Sequence, residues 1–170
     1  DGVMIQIEES KMLFEFKEGQ VFRIENSILQ KSIGEGIKTV EFLVTLKEDE
    51  ICFIEAKSSS PRPTPENKEK FDTFINEISD KFLHSFNMYL SAILKRNHYD
   101  EIPSALIDIN KEKAAFKFIL IIKGHKIEWL QPLKDAIYKK LLHQNKIWKN
   151  SVILMNEEIA KQYKLVKEGS

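Results

Sequence analysis

The sequence predicts a mixed α/β domain in which a central mixed β-sheet carries an acid-bearing hairpin and is flanked by helices. Three observations predict it. Two β-rich runs, Thr39–Leu46 and Ile51–Lys57, are separated by the polar Lys47-Glu-Asp-Glu50, the pattern of a hairpin. Phe71, Phe74, Ile75, Ile78, Phe82, Phe86, Leu90, Ile93 and Leu94 recur at three-and-four spacing, which makes one buried stripe on a long helix. Phe116 to Ile122 is apolar apart from Lys117, enough for a strand buried on both faces.

In chain order, Met4–Glu8, Met12–Phe16 and Val21–Ile24 read as a small antiparallel sheet, with Glu18-Gly19-Gln20 as a turn. Glu25 to Ile33 suits two turns of helix, closed by Gly34 and Gly36. The hairpin follows. Ser58 to Pro65 holds too many prolines to continue a central strand and is a loop. Thr64 as N-cap, Pro65 at the first helical position and Glu66 behind it start the long helix, which runs to about Arg96 and ends in Asn97–Pro103. After the buried strand, Gly124 makes a turn and Pro132 to about Gln144 is a second helix. A strand at Val152–Leu154 and a last helix capped by Asn156, with Glu157 and Glu158 in its first turn, complete the chain. No repeat and no long linker divides it, so residues 1–170 read as one domain.

The chain has 170 residues, 42% hydrophobic and 31% charged, a balance that excludes a disordered chain and allows a real core. The apolar run Ala114–Ile122 falls far short of the ~20 residues of a membrane helix. The opening residues lack the basic-then-apolar pattern of a secretory signal. Met4 reads as a native start, with Asp1–Val3 and Glu168–Ser170 as appended residues. The single cysteine, Cys52, cannot form an internal disulfide, so a reducing cytoplasm is the expected compartment. Lys plus Arg equals Asp plus Glu at 26 each, which counts against a protein that coats nucleic acid by bulk charge. A local basic patch stays open, although Lys134, Lys139, Lys140, Lys146 and Lys149 read as solvated helix faces.

The hairpin carries the chemistry. Side chains alternate along a strand, so Glu41 shares a face with Thr39, Leu43 and Thr45, while Glu55 and Lys57 share one with Ile51 and Phe53. Matching the apolar faces puts Glu41, Glu55 and Lys57 on one side. A tight two-residue turn at Glu48-Asp49 alone would throw Glu41 to the opposite side. A loop of odd length or a β-bulge is therefore expected. Two nearby carboxylates repel, and a divalent cation relieves that repulsion. Mg²⁺ (or Mn²⁺) prefers oxygen ligands, and Mg²⁺ keeps several waters, which suits two acids and one backbone carbonyl. The Lys57 ammonium beside them would orient a water and stabilise charge on phosphate oxygens.

Glu41, then thirteen residues, then Glu55-Ala56-Lys57 within Ile54-Glu-Ala-Lys-Ser-Ser59, resembles the PD-(D/E)XK superfamily of restriction-type nucleases. The likeness covers roughly residues 38 to 123, where helix and buried strand follow the hairpin in the family's order. It implies a restriction endonuclease-like fold and a metal-dependent nuclease, a hydrolase of phosphodiester bonds in DNA. By resemblance Glu41, Glu55 and the Ala56 backbone carbonyl are metal ligands and Lys57 positions the attacking water. The first acid is Glu where the family usually has Asp. Glu25 or Glu35 is a candidate for the extra acid some members place on an opening helix, and Lys81 or His84 on the long helix for a further polar contribution.

Plainer readings stand beside these. Glu41, Glu55 and Lys57 also suit a salt-bridged cross-strand cluster, and Lys81 and His84 a solvated helix boundary. Arg62 is a phosphate contact or an exposed loop charge. Trp129 and Trp148 are most economically core. The histidines are scattered and Cys52 has no companion at ligand spacing, so a zinc site is not expected. Two functional classes remain: a Mg²⁺-dependent nuclease acting on DNA, or a catalytically inactive nuclease-fold binding or scaffold protein. The chain could act as a homodimer or with a partner subunit that supplies the grip on DNA.

Overall fold

The computed structural model describes residues 2 to 169; Asp1 and Ser170, among the residues read as appended, lie outside them. Strands β1 (Met4–Glu9) and β2 (Met12–Lys17) form a hairpin whose two-residue turn places Ser10 and Lys11 at positive φ, the conformation that matches strand twist. After a single 3₁₀ turn, β3 (Val21–Phe22) leads to α1 (Ile28–Ile33). Next come β4 (Phe42–Lys47), β5 (Glu50–Lys57) and the long α2 (Lys68–Ile93). Then follow α3 (Ser104–Ile107), β6 (Ala115–Ile122), α4 (Leu130–Lys140), α5 (Leu142–Trp148), β7 (Ser151–Asn156) and α6 (Glu157–Gln162).

The main sheet has the order β3-β4-β5-β6-β7. β3, β4 and β5 run antiparallel, whereas β5, β6 and β7 are parallel. Each parallel step needs a crossover, supplied by α2 and then by α4 with α5. One sheet face packs Leu43, Ile51, Phe53, Phe118 and Leu120 against Ile78, Phe82, Phe86 and Tyr89 of α2 and Leu133 and Ile137 of α4. Phe82 stacks on Phe118 at 4.8 Å and Phe53 meets Phe86, Tyr89 and Phe118. The opposite face packs Phe42, Val44, Cys52 and Ile54 against the β1–β2 hairpin and α6. Each aromatic ring so buried contributes about 1.5–3 kcal/mol of transfer free energy, so both faces of β5 and β6 are committed to core. Among the described residues no helix is long and apolar enough to cross a membrane.

Four expectations are corrected here. β3 leaves the N-terminal hairpin and joins the main sheet beside β4, because Val21 and Phe22 pair with Val44 and Leu43. α1 begins only at Ile28: Asn26 takes a positive φ and Ser27 is the N-cap, its hydroxyl accepting from the Gln30 N–H. Glu25 therefore stands on the turn before α1, not on it. The second helix breaks at Leu141, giving α4 and α5. Trp148 is 43% exposed and Trp129 half-buried, so neither tryptophan belongs to the core. The five late lysines are exposed, as their spacing suggested.

Candidate active site

Hairpin register decides where the acids lie. Phe42, Leu43 and Val44 pair with Ile54, Phe53 and Cys52, yet Lys47 pairs with Glu50. The turn is the tight Glu48-Asp49, with Asp49 at positive φ, and an irregularity between Val44 and Lys47 shifts the ladder. That bulge is the device the alternation required. Upstream of it, the Glu41 N–H donates to the Ile54 carbonyl at 3.1 Å. Leu43 and Phe53 share the α2 face, and alternation along β5 carries Glu55 and Lys57 to that same side. Glu41 stands on the bend just before β4, near enough to Glu55 for the two carboxyl groups to act on each other.

Glu55 is fully buried. Lys81 of α2 reaches it, with Nζ 2.5 Å from Oε2. Neither carboxylate oxygen of Glu55 has a donor in good hydrogen-bond geometry among the described residues. The pair is held by charge. Burial pushes the Glu55 pKa up, against the opposing pull of Lys81 and, more weakly, Lys57. Lys81 is thus more than the solvated boundary residue its helix position suggests: its alkyl stem leaves the edge of the apolar stripe and its ammonium is the counter-charge of a buried acid.

Glu41 is raised from 4.5 to about 9, first by burial, then by a hydrogen bond with Glu25 and by the charges of Glu55, Glu25 and Glu9. Four carboxyl groups thus interact around this strand end. Glu25, although exposed, takes part. Ser10 and Glu9 enter from the β1–β2 turn: Ser10 Oγ donates to the Ala56 carbonyl at 2.9 Å and Glu9 pairs with Arg23 at 3.0 Å. Lys123 Nζ holds that turn by donating to the Lys11 carbonyl at 2.6 Å. Nothing local in the first hairpin signals this, because the contact joins residues 46 positions apart.

Other side chains fix the strand that delivers Glu41. The Val40 N–H donates to Ser85 Oγ at 2.9 Å, and Gln30 Nε2 donates to the Ile37 carbonyl and Thr39 Oγ1. His84 Nδ1 lies 3.2 Å from the Lys38 carbonyl oxygen, so its contact is with the backbone leading into β4 rather than with the acids. Glu35 lies in the exposed turn after α1. Lys57 is half-buried and forms no ion pair among the described residues.

No family model, curated protein or solved structure matches the chain.

A divalent cation can be tested against these residues. Among the described residues no three His, Cys, Asp or Glu side chains form a metal cage. The Ala56 carbonyl already accepts one hydrogen bond, which leaves its second lone pair. In favour stand Glu55 Oε1, buried and without a partner among the described residues, and the charge of Glu55, which adds to burial and the Glu25 hydrogen bond in lifting Glu41. Two carboxylates and a carbonyl completed by water fit Mg²⁺ or Mn²⁺, and Mg²⁺ in particular retains several waters. They do not fit an all-protein cage.

The raised Glu41 pKa has a stability consequence. The folded chain keeps this proton up to about pH 9, whereas an ordinary glutamate releases it near 4.5. Folding takes up a proton between those values, so stability falls as pH rises through that window. Glu41→Gln removes the uptake. Thermal denaturation across the window should give a flatter profile and, at pH 8, a higher Tm than the native chain; a profile as steep as the native one would show that Glu41 is ionised throughout.

Proposed function

We propose that the chain is a divalent-metal-dependent nuclease of the restriction endonuclease-like type, hydrolysing phosphodiester bonds of DNA. The observation that supports this reading is a fully buried Glu55 with the Glu41 carboxyl and the Lys57 ammonium near enough to act on it. Glu41, Glu55 and the Ala56 carbonyl would hold the ion. When bound, it would supply Lewis-acid stabilisation of phosphate oxygens and lower the pKa of a bound water.

The chain's own groups divide the remaining work. Lys81 offsets part of the burial cost that pushes Glu55 toward protonation, favouring the acceptor form. Glu41 must lose a proton held to about pH 9, so metal binding releases protons and strengthens as pH rises. Ser10 braces the Ala56 carbonyl. Lys57, free of carboxylate partners among the described residues, can donate to the attacking water or to a phosphate oxygen and stabilise charge as it develops.

A second reading has an observation of its own. Lys81 on Glu55 and the proton on Glu41 already neutralise the cluster without any cation, which is what a nuclease fold retained for binding or scaffolding would show. Incubation with plasmid and linear DNA in Mg²⁺ or Mn²⁺ separates the two. The nuclease reading requires cleavage that is abolished both by EDTA and by Glu55→Gln. Intact DNA under every condition, with a folded protein, leaves the binding role.

A further inference from the structure

Beyond the carboxylate cluster, the loop that follows β5 and the turn that follows β6 meet at the carboxyl end of the parallel strands. The Ser58 carbonyl lies against the Cα of Gly124, so near that an added Cβ would sit 3.4 Å from it. On this shelf the Arg62 guanidinium rests on the face of Trp129, 3.9 Å from the ring centroid. Lys126 Nζ lies 5.1 Å from the same centroid, and His125 packs edge-on against Trp129 at 5.2 Å.

The polar atoms of this shelf are short of partners. Arg62 Nε, Thr64 Oγ1 and His125 Nε2 are buried and have no hydrogen-bond partner among the described residues. Neither Arg62 nor Lys126 has a carboxylate within ion-pair distance among those residues. Burial, then the charge of Arg62, lowers the His125 pKa, so the histidine does not add a third positive charge at neutral pH. An arginine without an acid is normally mobile and solvated; here a tryptophan holds it in one plane, which lowers the entropy lost when its fork engages a ligand. Planar, pre-oriented guanidinium donors recognise phosphate bidentately.

We propose that Arg62, seated on Trp129 and seconded by Lys126, is a phosphate-binding subsite for the nucleic-acid backbone, gripping a phosphate away from the one cut. The proposal rests on the nuclease reading for its substrate class. Its ligand contacts come from a loop that the carboxylate cluster does not use. A chain with zero formal net charge cannot hold DNA by bulk electrostatics, so affinity must come from local cations placed in this way. The Pro-rich context of Arg62, Ser60-Pro-Arg-Pro-Thr-Pro65, restricts the backbone on either side of it and limits the conformations the loop can sample.

The test is fluorescence anisotropy of a labelled DNA oligonucleotide in EDTA, where neither metal nor cleavage contributes. Arg62→Ala should weaken binding roughly tenfold or more, as loss of a charge-assisted contact does. The slope of log affinity against log salt should drop by about one, and Arg62→Lys should fall between. In a Trp148→Phe background, Trp129 emission should shift on titration with the oligonucleotide and far more weakly with inorganic phosphate; native-like circular dichroism and Tm show that the Arg62 variants are folded. Native-like affinity in Arg62→Ala, or inorganic phosphate binding as tightly as the oligonucleotide, overturns the subsite and leaves the Glu41–Glu55 reading untouched. DNA bound through Arg62 but never cut in Mg²⁺ overturns the nuclease reading and supports the subsite.

Discussion

Lys57→Ala should lower DNA cleavage roughly a hundredfold to a thousandfold, the loss typical when one preorganised donor to developing charge is removed, while leaving the fold intact. The two halves have separate grounds. Lys57 has no ion-pair partner among the described residues and is half-buried at the end of β5, so its ammonium is not needed to neutralise a buried acid. The same side chain is near enough to Glu55 to pull on its titration, which places a positive charge beside the proposed ion. Initial rates on a linear duplex, with circular dichroism as the control for folding, check this. Native rates in Lys57→Ala would remove the residue from the chemistry.

Lys81→Ala should destabilise the chain by about 3–5 kcal/mol, the cost of leaving a buried charge without its partner. Glu55 is fully buried, and Lys81 is its one ion-pair partner among the described residues. Adding Glu55→Gln should recover much of the loss, because a neutral amide needs no counter-charge; the coupling is then read from the double-mutant cycle. Mn²⁺ should also restore part of the stability of Lys81→Ala, since a ligand that binds only the folded form shifts the equilibrium by mass action. Urea denaturation measures all three. A loss well under 1 kcal/mol, with no recovery on neutralising Glu55, would mean that the acid is protonated in the native chain.

These residues also show where sequence reasoning reaches and where it stops. Glu41, expected within the first strand, stands on the bend just before β4. Period-two alternation put Glu55 and Lys57 on one face of β5, and the conflict between the apolar faces and a Glu48-Asp49 turn called for the bulge found between Val44 and Lys47. Both are local: register and pleat are properties of neighbouring residues. The apolar stripe of α2 was equally plain, since Ile78, Phe82 and Phe86 repeat at helical spacing and are buried. Lys81 was less legible. Periodicity assigns a residue to a helix face, but the reach of a long side chain across to β5 depends on how the helix sits on the sheet.

Non-local packing hid the rest. Ser10 and Glu9 come to the cluster only because the β1–β2 hairpin docks on the sheet and Lys123 holds its turn. Two β-branched or aromatic residues, Val21 and Phe22, are too few to announce which sheet they join. The tryptophans were misjudged because size alone suggests core: Trp129 instead carries Arg62 on its face, and Trp148 covers Phe86 and Phe116 with one edge while the remainder meets solvent.

Calorimetric titration with Mn²⁺ at pH 8 addresses the shared cation most directly. If Glu41 and Glu55 hold one ion between them, the native chain should bind it saturably with release of protons, and Glu41→Gln and Glu55→Gln should each abolish the heat while remaining folded. Absence of saturable binding, or binding that survives Glu55→Gln, would contradict a metal centre on this hairpin.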